Sequence, residues 1–362
     1  MPTLIERRRP LMLSLQALKR SARYELIRAG LEGTALALRA GLPLANAQRG
    51  VIFALHHVDP ESTASWVPNA WLSITPTFLE EAIRVAREEG LIPIALEELP
   101  ERLSDPADTR RYVCFTLDDG YRDNARFAAP VFRRQAVPYT IFLTSGFVER
   151  SRSIWWKTAQ ELVMKTTSVD LSPWGADERV QIEGRADRVG LFDRLSNAVS
   201  DAEDEDAAVA RLDALARAHG IDPLAITECL TMDAGALAEL AEDPLASFGA
   251  HTLTHANLRK VSPQRLQHEM THSAGKVRDY VGAAPATFAY PYGYPSAVGA
   301  REIAAAREAG FAAAVTTEPG LLSKASRDAQ TALPRVSLNG FYQRKRYVRA
   351  LLSGLPFRLR RR

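Results

Sequence analysis

Two short stretches of the 362-residue chain hold side chains whose types and spacing could do hydrolytic chemistry. In TLDDGY (116–121), the adjacent carboxylates Asp118 and Asp119 precede Gly120, which permits a turn that other residues would strain. One carboxylate can bind a metal ion while the other stays free to take a proton. In HTLTH (251–255), His251 and His255 are four apart and can hold one cation; with one Asp they make a His₂-carboxylate site that leaves room for water. Zn²⁺ or a similar divalent ion would lower the pKa of that water towards neutrality. Either stretch alone is a weak signal, since a DDG turn commonly caps a βα loop. At the ends of two strands of one barrel they become complementary.

A rival metal motif is present. His268, Glu269 and His272 match HExxH, the pattern of zinc proteases. At 100° per residue, however, the apolar stripe of that helix runs through Leu266, Met270, Val277 and Val281, which turns His268 and His272 to solvent. A protease helix must point the pair inward, so this reading is set aside.

The elements that must carry the two stretches alternate. Apolar, β-branched runs at 51–58, 91–96, 112–117, 139–145, 246–251, 286–291, 311–317 and 333–338 are separated by helical patterns at 75–90, 124–135, 262–281 and 300–309. Such alternation predicts βαβ units and a parallel sheet, and seven or eight strands favour a distorted (β/α) barrel over an open sheet. Asp118, Asp119, His251 and His255 then fall at strand ends on one mouth. Residues 151–245 break the pattern with Trp155 and Trp156, a Pro/Gly-containing stretch and Ala-rich helical sequence, and read as a helical insertion. The Trp pair could stack on a sugar ring, although burial in the insertion's own core is the simpler expectation.

Composition narrows the classes further. At 46% hydrophobic and 25% charged the chain is ordinary globular material, and Cys114 and Cys229 are too few and too far apart for a disulfide framework. Residues 1–48 hold 8 Lys/Arg against 3 acids and residues 341–362 hold 8 against none, leaving −10 on residues 49–340. An acidic body argues against a nucleic-acid groove, whereas a basic N-terminal helical extension (1–48) and a basic C-terminal tail (341–362) could touch an anionic membrane surface. Arg7, Arg8 and Arg9 precede Leu11, Leu15, Leu18, Ala22 and Leu26, but Lys19, Arg20, Arg23 and Arg28 interrupt the apolar run, a poor secretory signal. The expectation is a cytoplasmic protein, peripheral to the inner membrane if those ends bind it.

In this order, TLDDGY, HTLTHANL (251–258) and FAYPYGYP (288–295), preceded by LHHV (55–58), resemble the NodB-type polysaccharide deacetylases of carbohydrate esterase family 4. The resemblance covers roughly residues 50–145 and 245–340, with LHHV and FAYPYG closest to the branch acting on exopolysaccharides. It implies a distorted barrel, with the deacetylase domain over 49–340, and hydrolytic removal of acetyl groups from N-acetylated sugars with a divalent metal, Zn²⁺ foremost, or Co²⁺ or Mn²⁺. Carried over, it makes Asp118 the general base and Asp119, His251 and His255 the metal ligands. A backbone N–H, that of Tyr292, would stabilise the oxyanion, and Pro291 and Tyr292 would wall the acetyl pocket.

Two departures stand out. The third motif carries Ala289 where the family usually has an Arg that orients the base, and the late Leu-x-x-His motif that supplies the general acid is missing, because no histidine follows His272. His56, at the end of the first barrel strand, is the replacement acid this reading selects, with His57 the neighbour that could be confused with it. Arg335 in LPRVSL (333–338) also ends a late strand and could orient Asp118. The expected substrate is an N-acetylhexosamine unit, GlcNAc-type, of an oligo- or polysaccharide, lipid-linked if the protein works at a membrane. The alternatives are hydrolysis of an O-acetyl ester or a non-sugar amide, and a non-catalytic carbohydrate-binding subunit of a polysaccharide assembly system.

Overall fold

Runs of β-branched and aromatic residues become strands wherever a helix can cover their outer face, and seven of them close on one another. The computed structural model describes residues 9–41, 48–61, 63–176 and 178–358. Its barrel strands are β1 (Gln48–Leu55), β2 (Arg111–Leu117), β3 (Tyr139–Leu143), β4 (Ala246–Ala250), β5 (Thr287–Ala289), β6 (Ala313–Pro319) and β7 (Leu333–Ser337). Each pairs in parallel with the next, and β1 lies between β2 and β7, so the ring closes. The fold is the expected (β/α) barrel, of seven strands. The eighth expected strand survives only as Leu91–Pro93, which pairs with the start of β2 and stays outside the ring, because β1 already occupies the other edge of β2.

Alternation sorts the side chains. Val51, Phe53, Leu55, Val113, Phe115 and Leu117 belong to a core cluster with the surrounding helices, and Ile52, Cys114, Phe142, Ala289, Val315 and Leu333 to a second cluster. Cys114 is buried, with no disulfide, and Cys229 is exposed. The period of two along β2 carries Cys114, Thr116 and then Asp118 to the same side.

Helix α1 (Arg9–Arg39) precedes the barrel and α2 (Pro76–Glu88) follows β1; Thr75 caps α2 by accepting from the Phe78 N–H, and Pro76 opens it. The insertion between β3 and β4 contains α3 (Trp155–Lys165), α4 (Arg185–Ser200) and α5 (Glu205–Ala218), with its own apolar core around Leu162, Leu191, Leu195 and Leu212. Helix α6 (Pro263–Val281) is capped by Ser262 as the sequence implies. Among the described residues, the segment expected as a basic tail includes helix α7 (Lys345–Leu352), packed on α1 and α2. Tyr347 and Ala350 join Leu31 in a small core, and Arg346 and Tyr347 both donate to the Glu32 carboxylate at 2.5 Å. Burying that apolar face is what folds the segment back. Arg7, Arg8 and the arginines at 360–362 lie outside the described residues. Among those described, no helix is long and apolar enough to cross a membrane.

Candidate active site

The barrel mouth gathers residues from five strands. Alternation would send Asp119, the residue after Asp118, to the outer face of the sheet, but its φ of 75° puts it in the left-handed region and Gly120 follows with φ 68°. The turn brings the Asp119 carboxylate back to the mouth. There its Oδ1 lies 3.7 Å from His251 Nε2 and 3.6 Å from His255 Nε2. Thr252, His255 and Tyr292 also have positive φ, at 65°, 56° and 62°, so the loops here hold conformations that only surrounding contacts can maintain.

These three side chains fit a divalent metal. All are buried, their ligand atoms lie within 4.8 Å of one another, and Asp119 Oδ1 has no hydrogen-bond partner. Burial, together with the Asp118 charge, pushes the Asp119 carboxyl up to about 8, a cost that a bound cation would relieve. Burial lowers His251 and His255 below the usual histidine value, which keeps them neutral as ligands must be. His251 Nδ1 donates to the Ala289 carbonyl at 2.7 Å, which leaves Nε2 to face Asp119. The position where an Arg was expected thus contributes through its backbone. His255 is enclosed by Trp156, Tyr292 and Phe147, with ring centroids 4.7, 5.1 and 5.9 Å away.

Asp118 is not part of this trio and is gripped by Arg335. Two hydrogen bonds of 2.7 Å join guanidinium to carboxylate, and Arg335 also donates to the Thr316 carbonyl at 2.9 Å and Thr116 Oγ1 at 3.1 Å. Burial alone would raise the Asp118 carboxyl, but the Arg335 charge and hydrogen bonds outweigh it and hold the group well below the usual carboxylate range. His56 Nε2 stands 4.0 Å from Asp118 Oδ2, and burial lowers its pKa to about 4. His57 goes elsewhere: its Nδ1 meets Asp123 Oδ2 at 2.6 Å and its ring stacks on Tyr121 at 3.7 Å. Pro291 is buried beside Tyr292, and Gly293 (φ 64°) lets this loop approach β6 so closely that a Cβ there would sit 2.5 Å from the Thr317 nitrogen.

The structure therefore brings together Asp118, Asp119, His251, His255, His56, Tyr292 and Arg335, and leaves His57 in a separate pair with Asp123. His268 and His272 are solvent-exposed with rings 3.9 Å apart, far from serving as inward ligands. Their neighbour Glu269 is buried and was missed. Its Oε2 accepts from the Leu253 and Thr254 N–H groups at 2.8 and 3.1 Å and its Oε1 from Thr254 Oγ1 at 2.7 Å, fixing the loop between the two histidines. The signal was available: Glu269 sits between Leu266 and Met270 on the inner half of its helix. Trp155 and Trp156 are buried in the insertion and also reach the mouth, donating to Tyr292 Oη at 3.0 Å and Tyr121 Oη at 3.2 Å. The Trp pair is thus buried, as the simpler expectation had it, and the hydrogen bonds that carry it to the mouth had no sequence signal.

Residues 215–314 match the polysaccharide deacetylase family. That segment carries His251, His255, Pro291 and Tyr292, while Asp118 and Asp119 join it through the fold. No curated protein gives a significant match to the sequence. Among solved structures, the chain is similar to the Streptococcus pyogenes deacetylase PplD in complex with acetate, at 16% identity and TM-score 0.51, covering 82% of this chain and 94% of that one. A putative polysaccharide deacetylase from Bacillus anthracis matches at 16% and 0.52, covering 85% and 69%, and IcaB from Ammonifex degensii at 16% and 0.51, covering 83% and 97%. At such identity these likenesses establish the barrel, and the matched segment is similar to the polysaccharide deacetylase family.

Proposed function

We propose that the protein is a metal-dependent deacetylase that hydrolyses the N-acetyl group of N-acetylhexosamine units, GlcNAc-type, in an oligo- or polysaccharide. One observation carries this reading: a buried Asp119, His251 and His255 set able to hold a metal lies beside a second carboxylate, Asp118, that Arg335 keeps ionised and out of that set. A pure sugar binder needs no such division of labour between adjacent acids. The deacetylase match and the PplD structure, which contains acetate, support the same class.

Asp119, His251 and His255 would hold the divalent ion, Zn²⁺ by donor type, which when bound polarises the acyl oxygen and acidifies a water molecule. Asp118 would take a proton from the attacking water as its oxygen adds to the amide carbonyl. The Tyr292 N–H, from which no described residue accepts a hydrogen bond, is the donor for the oxyanion. His56 is neutral at rest, so the proton held by Asp118 is the one it can pass across the 4.0 Å gap to the leaving amine. Partly exposed aromatic rings, Trp71 6.1 Å from His56 and Tyr294 5.9 Å from Tyr292, offer faces for sugar rings on either side. A lipid-linked substrate at an anionic membrane surface belongs to the same proposal, supported by the basic ends and by Leu26 and Leu36, which α1 leaves exposed.

The test is acetate release from N-acetylglucosamine oligomers by chelator-stripped protein with Zn²⁺, Co²⁺ or Mn²⁺ restored. Metal-dependent release that Asp118→Asn abolishes while metal stays bound is the expected result. Release only from O-acetylated xylan would replace the amide by an ester as the bond cut, and binding of oligomers without release at any metal concentration would make the protein a binder.

A further inference from the structure

Tyr292 is held at both ends. Its carbonyl accepts from Thr317 Oγ1 at 2.6 Å, while its hydroxyl donates to Glu205 Oε1 at 2.5 Å and accepts from Trp155 Nε1 at 3.0 Å. The other oxygen of Glu205, Oε2, accepts from the Asn257 N–H at 2.9 Å, two residues beyond His255. Glu205 is 8% exposed and opens α5, deep in the insertion. One buried carboxylate therefore ties two barrel loops to α5.

A buried anion is a costly way to fill space, and an apolar side chain would serve the insertion's core better. What Glu205 provides that an apolar residue cannot is two simultaneous acceptors, one for each loop. The neighbouring Asp206 repeats the pattern: it pairs with Arg152 and, at 2.5 Å, with Arg265, which in turn donates to Glu269 at 3.3 Å behind the His251–His255 loop. The start of α5 is thus built against the site.

We propose that Glu205 is a positioning residue for the reaction: it holds the Tyr292 peptide in its left-handed conformation, with the N–H presented to the acyl oxygen, and fixes that peptide in register with the histidine loop. The proposal rests on the deacetylase reading. Tyr292 at φ 62° is an aromatic residue in a region its side chain disfavours, and the hydroxyl tether is what restrains it from relaxing. Trp155 shares the tether from the opposite side.

The experiment compares wild type, Glu205→Ala, Glu205→Gln, Tyr292→Phe and the double variant Glu205→Ala/Tyr292→Phe, each loaded with Zn²⁺, on N-acetylglucosamine oligomers. Glu205→Ala should lower kcat on the order of 10- to 100-fold with little change in KM or in Zn²⁺ stoichiometry, as misplacing one oxyanion donor does. Glu205→Gln, which keeps one acceptor, should recover part of the loss, and the double variant should be no worse than its worse parent. Amide exchange in residues 292–294 and 256–258 should quicken in Glu205→Ala while that of β2 and β3 stays as in wild type. A wild-type kcat in Glu205→Ala, losses that multiply in the double variant, or loss of bound Zn²⁺ would each overturn the proposal. Wild type inactive with every metal would defeat the deacetylase reading itself, and unchanged exchange at 292–294 in Glu205→Ala would then separately remove the tether.

Discussion

Arg335, on the last strand of the barrel, closes two hydrogen bonds of 2.7 Å on Asp118, at the end of the second, with neither side chain more than 4% exposed. The arginine expected at position 289 is thus replaced by one arriving from another strand, which leaves Ala289 to offer its carbonyl to His251.

A pair so buried is expensive to break and cheap to replace. Arg335→Met should cost about 3–5 kcal/mol by leaving Asp118 uncompensated, and should lower turnover about 100-fold or more. Arg335→Met combined with Asp118→Leu should regain most of that stability and stay inactive. Urea unfolding of the three proteins checks this; a double variant as unstable as Arg335→Met alone would contradict it.

The two neighbouring histidines should separate cleanly. His56→Ala should lower kcat by about 100- to 1,000-fold with little effect on stability, because its half-open ring makes no close bond. His57→Ala should lose about 1–3 kcal/mol of stability through the Asp123 hydrogen bond and Tyr121 stacking. Steady-state kinetics and denaturant curves on both variants decide, and a reversal of the two phenotypes would reassign the acid.

Glu269→Gln should weaken metal binding about 10- to 100-fold, since the loop bearing both histidines loses the carboxylate that gathers its N–H groups. Chelator competition gives the affinity. Unchanged affinity would mean the loop keeps its shape without that anchor.

The docking of α1 should depend on acid pH. Hydrogen bonds from Arg346 and Tyr347 lower Glu32 from 4.5 to about 2. A carboxyl depressed in the folded state stabilises above its unfolded value, and that contribution fades as pH falls from about 4.5 towards 2. Amide exchange along 24–39 should quicken over this interval, and in Glu32→Gln should already be quick at pH 6; equal exchange in both proteins at pH 6 would show that apolar contacts alone hold the helix.

Much of the barrel and of its mouth was legible because it rests on local pattern: alternation in the strands, the Ser262-Pro263 start of α6, and the adjacency of Asp118 to Asp119. The strand at 91–93 was over-read, since apolar content fixes extended conformation without saying which edge remains open. Glu205 was not found because its partners lie in other segments: it meets residues 52 and 87 positions away, and nothing in either neighbourhood announces the meeting, whereas Glu269 was marked by its place on the inner half of its helix. The folding back of 345–352 was hidden for a similar reason, its basic residues masking the face that carries Tyr347 and Ala350.

Because β1 lies between β2 and β7, the ring cannot be completed until the stretch from Leu333 to Ser337 has been synthesised. Until then the first strand keeps an open edge, and Asp118 has no guanidinium to meet. A truncation before residue 333 would leave an aggregation-prone sheet with an unpaired charge at its centre.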